Sequence, residues 1–161
     1  MLMSTYSYLR TLLIVGGTFL SPLVAQNQQI KKLLDKAGLK YEVTEGGDFK
    51  LTFNIGDGRS QLVFIEGSME EMGGQSIVEI WSPGYKGAEI SEKTLAYLLV
   101  ESGKKKVGAW EVMSDNDNIY AVFMVKVPLA SLSPGFLRSA CEGAALTADN
   151  AEKTFLQSDE L

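Results

Sequence analysis

The sequence contains no histidine and a single cysteine, Cys141. Without histidine the chain lacks the commonest general base and the commonest metal ligand. One thiol closes no internal disulfide and builds no cysteine zinc site. Basic charge is also short: 15 Lys and Arg against 20 Asp and Glu give a net charge of −5. Nucleic-acid binding needs a basic patch, so no nucleic-acid partner is expected. The run Lys104-Lys105-Lys106 stands where a helix should end, which suits the helix dipole better than a phosphate site. The glycines of Gly56-Asp57-Gly58 complete neither a dinucleotide nor a P-loop pattern and read as a turn. Glu70 and Glu71 are neighbours, whereas acid–base work needs two carboxylates across a cleft. In Asp115-Asn116-Asp117-Asn118, a calcium loop of the EF-hand type would require Gly and Glu where Tyr120 and Lys126 stand. No catalytic group, metal or cofactor is therefore expected, and the chain does not read as an enzyme.

What is present is a foldable pattern. At 161 residues, 45% hydrophobic and 22% charged, the chain suits one domain with a real core. Residues 1–25 have the layout of a secretory signal peptide. One charge, Arg10, precedes the apolar run 11–20; then come the breaker Ser21-Pro22 and a cleavage point after Ala25. The run is short for a membrane span, which needs about 20 residues. Leu23 is large for its place before the cut, so an uncleaved anchor stays open. The expectation is export to a periplasmic or extracellular location, with residues 26–161 as the single mature domain. Membrane association follows only if the segment is retained. No Asn-x-Ser/Thr sequon occurs.

The mature chain divides by period. Ile30, Leu33, Leu34 and Ala37 recur at helical spacing, and Gly38 is a stop, which predicts a helix over 28–37. Alternation predicts strands at 39–44 and 49–55, joined by the turn 45–48, then at 61–66 and 76–81. The stretches 67–75 and 82–87 are rich in turn residues and read as loops. A helix is predicted over 92–102, with Ser91 as N-cap, Gly103 as stop, and Leu95, Leu98 and Leu99 facing the core.

The stretch 106–127 organises the rest. It reads as a hairpin with arms 107–113 and 119–127 around the polar turn 114–118. In its second arm Ile119, Ala121, Phe123, Val125 and Val127 share one face, and Tyr120, Val122, Met124 and Lys126 the other. A last helix begins at Ser133-Pro134, buries Phe136, Leu137, Ala140, Cys141, Ala144 and Ala145, and has a possible second piece from Asp149. Cys141 reads as a small buried hydrophobe.

This fold class is α+β: an antiparallel sheet flanked by helices, in the order α-β-β-β(-β)-α-β-β-α. The stretches 30–43 (Ile-Lys-Lys-Leu-Leu-Asp-Lys-Ala-Gly-Leu-Lys-Tyr-Glu-Val), 47–53, 110–125 and Val127-Pro128-Leu129 resemble the YbjN family, labelled bacterial sensory transduction regulators, whose fold is similar to type III secretion chaperones. The signal segment and the extra strand at 76–81 depart from that pattern. The resemblance implies no catalytic residues. Type III chaperones bind extended client segments, so it implies a protein-binding role.

The functional expectation is a non-catalytic protein-binding, adaptor or chaperone-like module of the bacterial envelope. A single sheet with helices on one side leaves its second face open. The candidate partner-binding surface is Trp81, Tyr85, Trp110, Tyr120, Val122 and Met124, for a protein partner or a second copy in a homodimer. The alternative is a small-ligand or lipid carrier whose apolar cavity is gated by 67–75 and 82–87.

Overall fold

The computed structural model describes residues 22–115, 117–156, 159 and 161, with side chains from residue 27 onward. The signal segment expected at 1–25 therefore lies outside the described residues, apart from its last four positions, which begin the first helix.

The elements run α1 (Pro22–Ala37), β1 (Glu42–Val43), β2 (Phe49–Gly56), β3 (Arg59–Ile65), β4 (Glu70–Met72), β5 (Gln75–Gly87), α2 (Glu92–Ser102), β6 (Ala109–Asp115), β7 (Asn118–Pro128) and α3 (Pro134–Phe155). A 3-10 turn, Leu129–Ser131, links β7 to α3. The sheet is antiparallel in the order β1-β2-β3-β5-β7-β6, with β4 added to β5. The α+β class with helices flanking an antiparallel sheet is thus observed.

All three helices lie on one face. Ile30 and Leu34 of α1, together with Leu137, Cys141, Ala144 and Ala145 of α3, pack on Leu51, Val63, Ile65, Val78, Ile80, Phe123 and Val125. Each fully buried Leu or Ile here contributes about 2 kcal/mol of transfer free energy. Leu98 of α2 joins a smaller cluster with Ala121 and Ala151. The helix stops and caps follow the sequence. Gly38 takes φ +65°, and the Leu39 amide donates to Leu34 O, closing α1. Ser91 and Ser133 accept from the amides of Thr94 and Phe136. The Arg138 guanidinium donates to Ala37 O and so ties the end of α1 to α3.

Several expectations are corrected. α1 starts at Pro22 rather than 28, a proline being well placed in a first helical turn. The first strand shrinks to Glu42–Val43, at the sheet edge. The expected loop at 67–75 holds β4, which pairs back on β5 through Gly73-Gly74, both at positive φ as a two-residue hairpin turn requires.

The expected loop at 82–87 is also strand. Pro83-Gly84 makes a bulge inside β5, not a turn, and pairing with β7 resumes at Tyr85↔Ala121. Gly84 is buried because Trp110 and Ala148 O close on it from the helix side. The hairpin arms run to Asp115 and from Asn118, which shortens the polar turn; Asn116 lies outside the described residues.

α3 is one helix, with no break at Asp149. In α2 only Thr94 and Leu98 are buried. Ser102 on the same side accepts the Trp110 amide, which fixes the helix's rotation and turns Leu95 and Leu99 outward. Phe136 of α3 is likewise exposed.

Cys141 is fully buried, and burial pushes its thiol up to about 12, with Glu142 adding to the shift. A thiolate is the reactive form. In the folded chain Cys141 is expected to resist a thiol-reactive disulfide reagent, and to react at once in denaturant. Stoichiometric labelling of native protein would contradict this placement.

Candidate functional site

The face opposite the helices is built from the alternate residues of five strands. Thr52 of β2 stands opposite Leu62 of β3; Phe64 of β3 stands opposite Trp81 of β5. Pro83 and Trp81 stand opposite Val122 and Met124 of β7, and Met113 of β6 opposite Tyr120. β3 carries apolar side chains to both faces, which is why 62–65 reads as a continuous apolar run. The side chains leave an apolar trough of about 490 Å³, bounded by Leu62, Phe64, Trp81, Pro83, Tyr120 and Met113. Phe64 and Trp81 stack at 4.4 Å and 19°, a rigid wall.

Charged groups flank the apolar part of this face, and of them Lys86 lines the trough itself. At one end Lys126 Nζ lies 3.1 Å from Glu111 Oε1 and 3.5 Å from Glu79 Oε1. The bond to Glu111 leads in holding the Lys126 pKa above its ordinary value. Nearby Glu66 is pushed up, first by burial and then by Glu79 and Asp48. At the other end the Lys86 ammonium sits 5.6 Å from the Tyr120 ring centroid.

The six residues expected as one surface are divided. Trp81, Tyr120, Val122 and Met124 share the open face. Tyr85 and Trp110 lie on the helix side. The bulge at Gly84 shifts the alternation, so Tyr85 packs edge-on to Phe155 of α3, and its hydroxyl donates to Glu89 O. Trp110 packs edge-on to Phe123, on the core face of its strand. Val122 and Met124 are only 1% and 4% exposed, because β7 is flanked by Trp81 and Pro83 on one side and by Ala109 and Glu111 on the other. Val122 forms the floor of the trough, and Trp81 and Tyr120 its walls; Met124 stands opposite Trp81 and does not line it.

Residues that sequence reasoning missed come from elsewhere in the chain. Leu62, Phe64 and Met113 were visible only as apolar residues on strands. Leu161 also lines the trough. Its amide donates to Glu152 Oε1 at 3.1 Å, and Asp159 Oδ1 lies 3.6 Å from Arg59. Arg59 at the start of β3 also bonds Asp149 (2.6 Å) and Glu152 (3.0 Å), both essentially buried in α3. The three carboxylates Asp149, Glu152 and Asp159 cluster closely enough for a cation. Arg59 and Lys153 are bound among them, so the arrangement is an ion-pair network.

A second apolar patch lies beside the free edge of β6. Leu95, Leu99 and Val100 of α2 are exposed, Leu99 by 75%, and so is Val112 of β6. Among the described residues β6 ends the sheet with one unpaired edge. Among the described residues no helix is long and apolar enough to cross a membrane.

No protein-family model matches the chain, and no curated protein matches its sequence. Solved structures do match in fold. One is the crystal structure of YbjN from E. coli, with a TM-score of 0.46 and 8% identity, covering 81% of this chain and 92% of that one. The chain is similar to that protein in fold.

Proposed function

We propose that the chain is a non-catalytic protein-binding module of the bacterial envelope, and that the trough on the open sheet face receives the partner. The observation that carries this reading is the trough itself: rigid aromatic walls, an apolar floor and Lys86 at its rim, on a face that the three helices leave uncovered. Aromatic anchors around a desolvated pocket are the usual centre of a protein interface. The envelope part rests on the sequence of residues 1–25. The edge of β6 with Leu99 and Val112 is the surface suited to a second copy, by strand addition.

Affinity capture from envelope extract of the native host tests the reading. The unmodified chain is expected to retain a stoichiometric partner, and a Met113→Glu/Tyr120→Glu variant, altered at exposed or half-exposed wall positions, to lose it. Equal recovery by both would remove the trough as the site, and recovery of the native protein in the cytoplasmic fraction would remove the envelope part.

A small apolar ligand is the second reading, favoured by the trough volume, which falls in the range of ligand pockets. The segments expected to gate such a cavity, 67–75 and 82–87, are largely strand and do not form loops over it.

A further inference from the structure

The trough opens toward a gap in the sheet, and the chain's own last described residues stand there. β3 and β5 pair at Phe64↔Trp81 and Ile65↔Ile80. Beyond Trp81 the two strands are bridged by side chains: Ser82 Oγ donates to Leu62 O and Gln61 Nε2 to Pro83 O, each at 2.6 Å. Leu161 lies against this opening. Three features place it: a backbone amide on Glu152, a position at the border of the trough, and, two residues earlier, a carboxylate on Arg59.

We infer that the trough and the gap beside it form a site for an extended peptide carrying an acidic residue two positions before an apolar one, and that Asp159 and Leu161 occupy this site in cis, so that a partner must displace them. The inference rests on the protein-binding reading of the trough and adds the chemistry of the partner and its regulation.

Each recognition element has a counterpart. Arg59, partly exposed between two buried carboxylates, presents the cation for the incoming acid. Glu152 Oε1 accepts one main-chain amide. Phe64, Trp81 and Tyr120 line the trough that receives the apolar side chain, and Leu161 stands at its border. The cis segment also leaves something to gain. Gln61 is fully buried, and among the described residues its Oε1 has no hydrogen-bond partner although its Nε2 donates to Pro83 O. A longer segment running along the gap brings further backbone amides toward that acceptor, as strand-adding peptides do. Satisfying a buried acceptor favours the incoming chain over the cis one.

The test uses a fluorescein-labelled peptide of residues 155–161, read by fluorescence anisotropy against the unmodified chain and an Asp159→Lys/Leu161→Glu variant. A site filled in cis nine-tenths of the time weakens apparent affinity about tenfold. The variant is therefore expected to bind the peptide about tenfold more tightly, and to lose it when Tyr120→Glu is added. Equal affinity for both proteins, no binding to either, or binding indifferent to Tyr120→Glu overturns the inference.

A second measurement needs no variant. In the isotope-labelled unmodified chain, the Leu161 amide resonance is expected to move as excess peptide displaces it from Glu152, and a fixed resonance overturns the inference. The two readings fail separately. Absent peptide binding with partner capture still lost in Met113→Glu/Tyr120→Glu removes this inference alone. Peptide binding with partner capture unaffected by those substitutions removes the partner reading alone.

Discussion

Arg59→Met is expected to lower the melting temperature by about 10 °C or more, because breaking a buried ion pair leaves uncompensated charge. Arg59 holds two α3 carboxylates, of Asp149 and Glu152, whose side chains are 2% and 0% exposed. Methionine covers the same apolar stem and removes both charge-assisted bonds. Lys153 still reaches Asp149, 2.7 Å from its Oδ2, and so limits the loss there. Neutralising the acids as well, in Arg59→Met/Asp149→Asn/Glu152→Gln, is expected to recover part of the stability, since a buried ionic group replaced as a whole often costs little. A melting temperature within about 2 °C of the unmodified chain for Arg59→Met alone would show that the network does not hold β3 to α3.

The same network gives a pH dependence with a defined sign. Burial acts to raise the Asp149 carboxyl, but hydrogen bonds from Lys153 and Arg59 outweigh it and hold the pKa below its ordinary value. The folded value thus lies below the unfolded one. Stability from this group is complete above the unfolded pKa of about 4, and is lost as pH falls from there through the folded value. Thermal melts between pH 7 and pH 2.5 should show Asp149→Asn less stable at neutral pH and less sensitive to acid. A parallel acid slope in the two proteins would contradict the assignment.

Gly84→Ala is the second large effect. A Cβ there meets Trp110 Cη2 at 2.6 Å and Ala148 O at 2.9 Å. The indole is not a free chain end on the surface: it is packed against Phe123 and the core, and Ala148 O is helix backbone. Overpacking of this kind costs about 1–3 kcal/mol. Denaturant unfolding is expected to show that loss with an unchanged slope. Gly143→Ala, in α3 and facing open space, serves as the control and is expected to stabilise by about 0.5–1 kcal/mol through helix propensity. A Gly84→Ala variant as stable as its parent would mean that α3 and β6 do not close on the bulge.

Gly84 also marks where the sequence stops being legible. Residues 49–55 and 119–127 carry clean two-residue alternation, and both became strands with the expected faces inward. Ser91, Gly103, Ser133 and Pro134 are local signals, and they bound the helices as read. Pro83-Gly84 is a local signal too, yet it was outvoted by pairing with β7 and by the helix packed above it. Once the bulge is hidden, the faces of Tyr85 and Trp81 cannot be told apart, so one expected surface contained residues from both sides of the sheet. Leu99 misled for the opposite reason. Its spacing fits a core stripe, but the bond from the Trp110 amide to Ser102 fixes α2 in another rotation. The junction of Arg59 with Asp149 and Glu152 spans some 90 residues of sequence and has no local trace. The wall residues of the trough were legible as strand residues, and their meeting depended on register.

The short pairing between β3 and β5 bears on how the molecule opens. Two residue pairs, with the bond from Glu66 to Glu79, join the meander β1-β2-β3 to the ladder β5-β7-β6, whose own strands pair along nearly their full length. What spans the division is α3, which packs on residues of both halves. Amide exchange in β2 and β3 is therefore expected to be faster than in β5 and β7, by a partial opening at this division, and equal protection in all four strands would contradict it. A segment entering between β3 and β5 would meet this boundary, and the cost of admitting it would be that of the partial opening, not of unfolding the sheet.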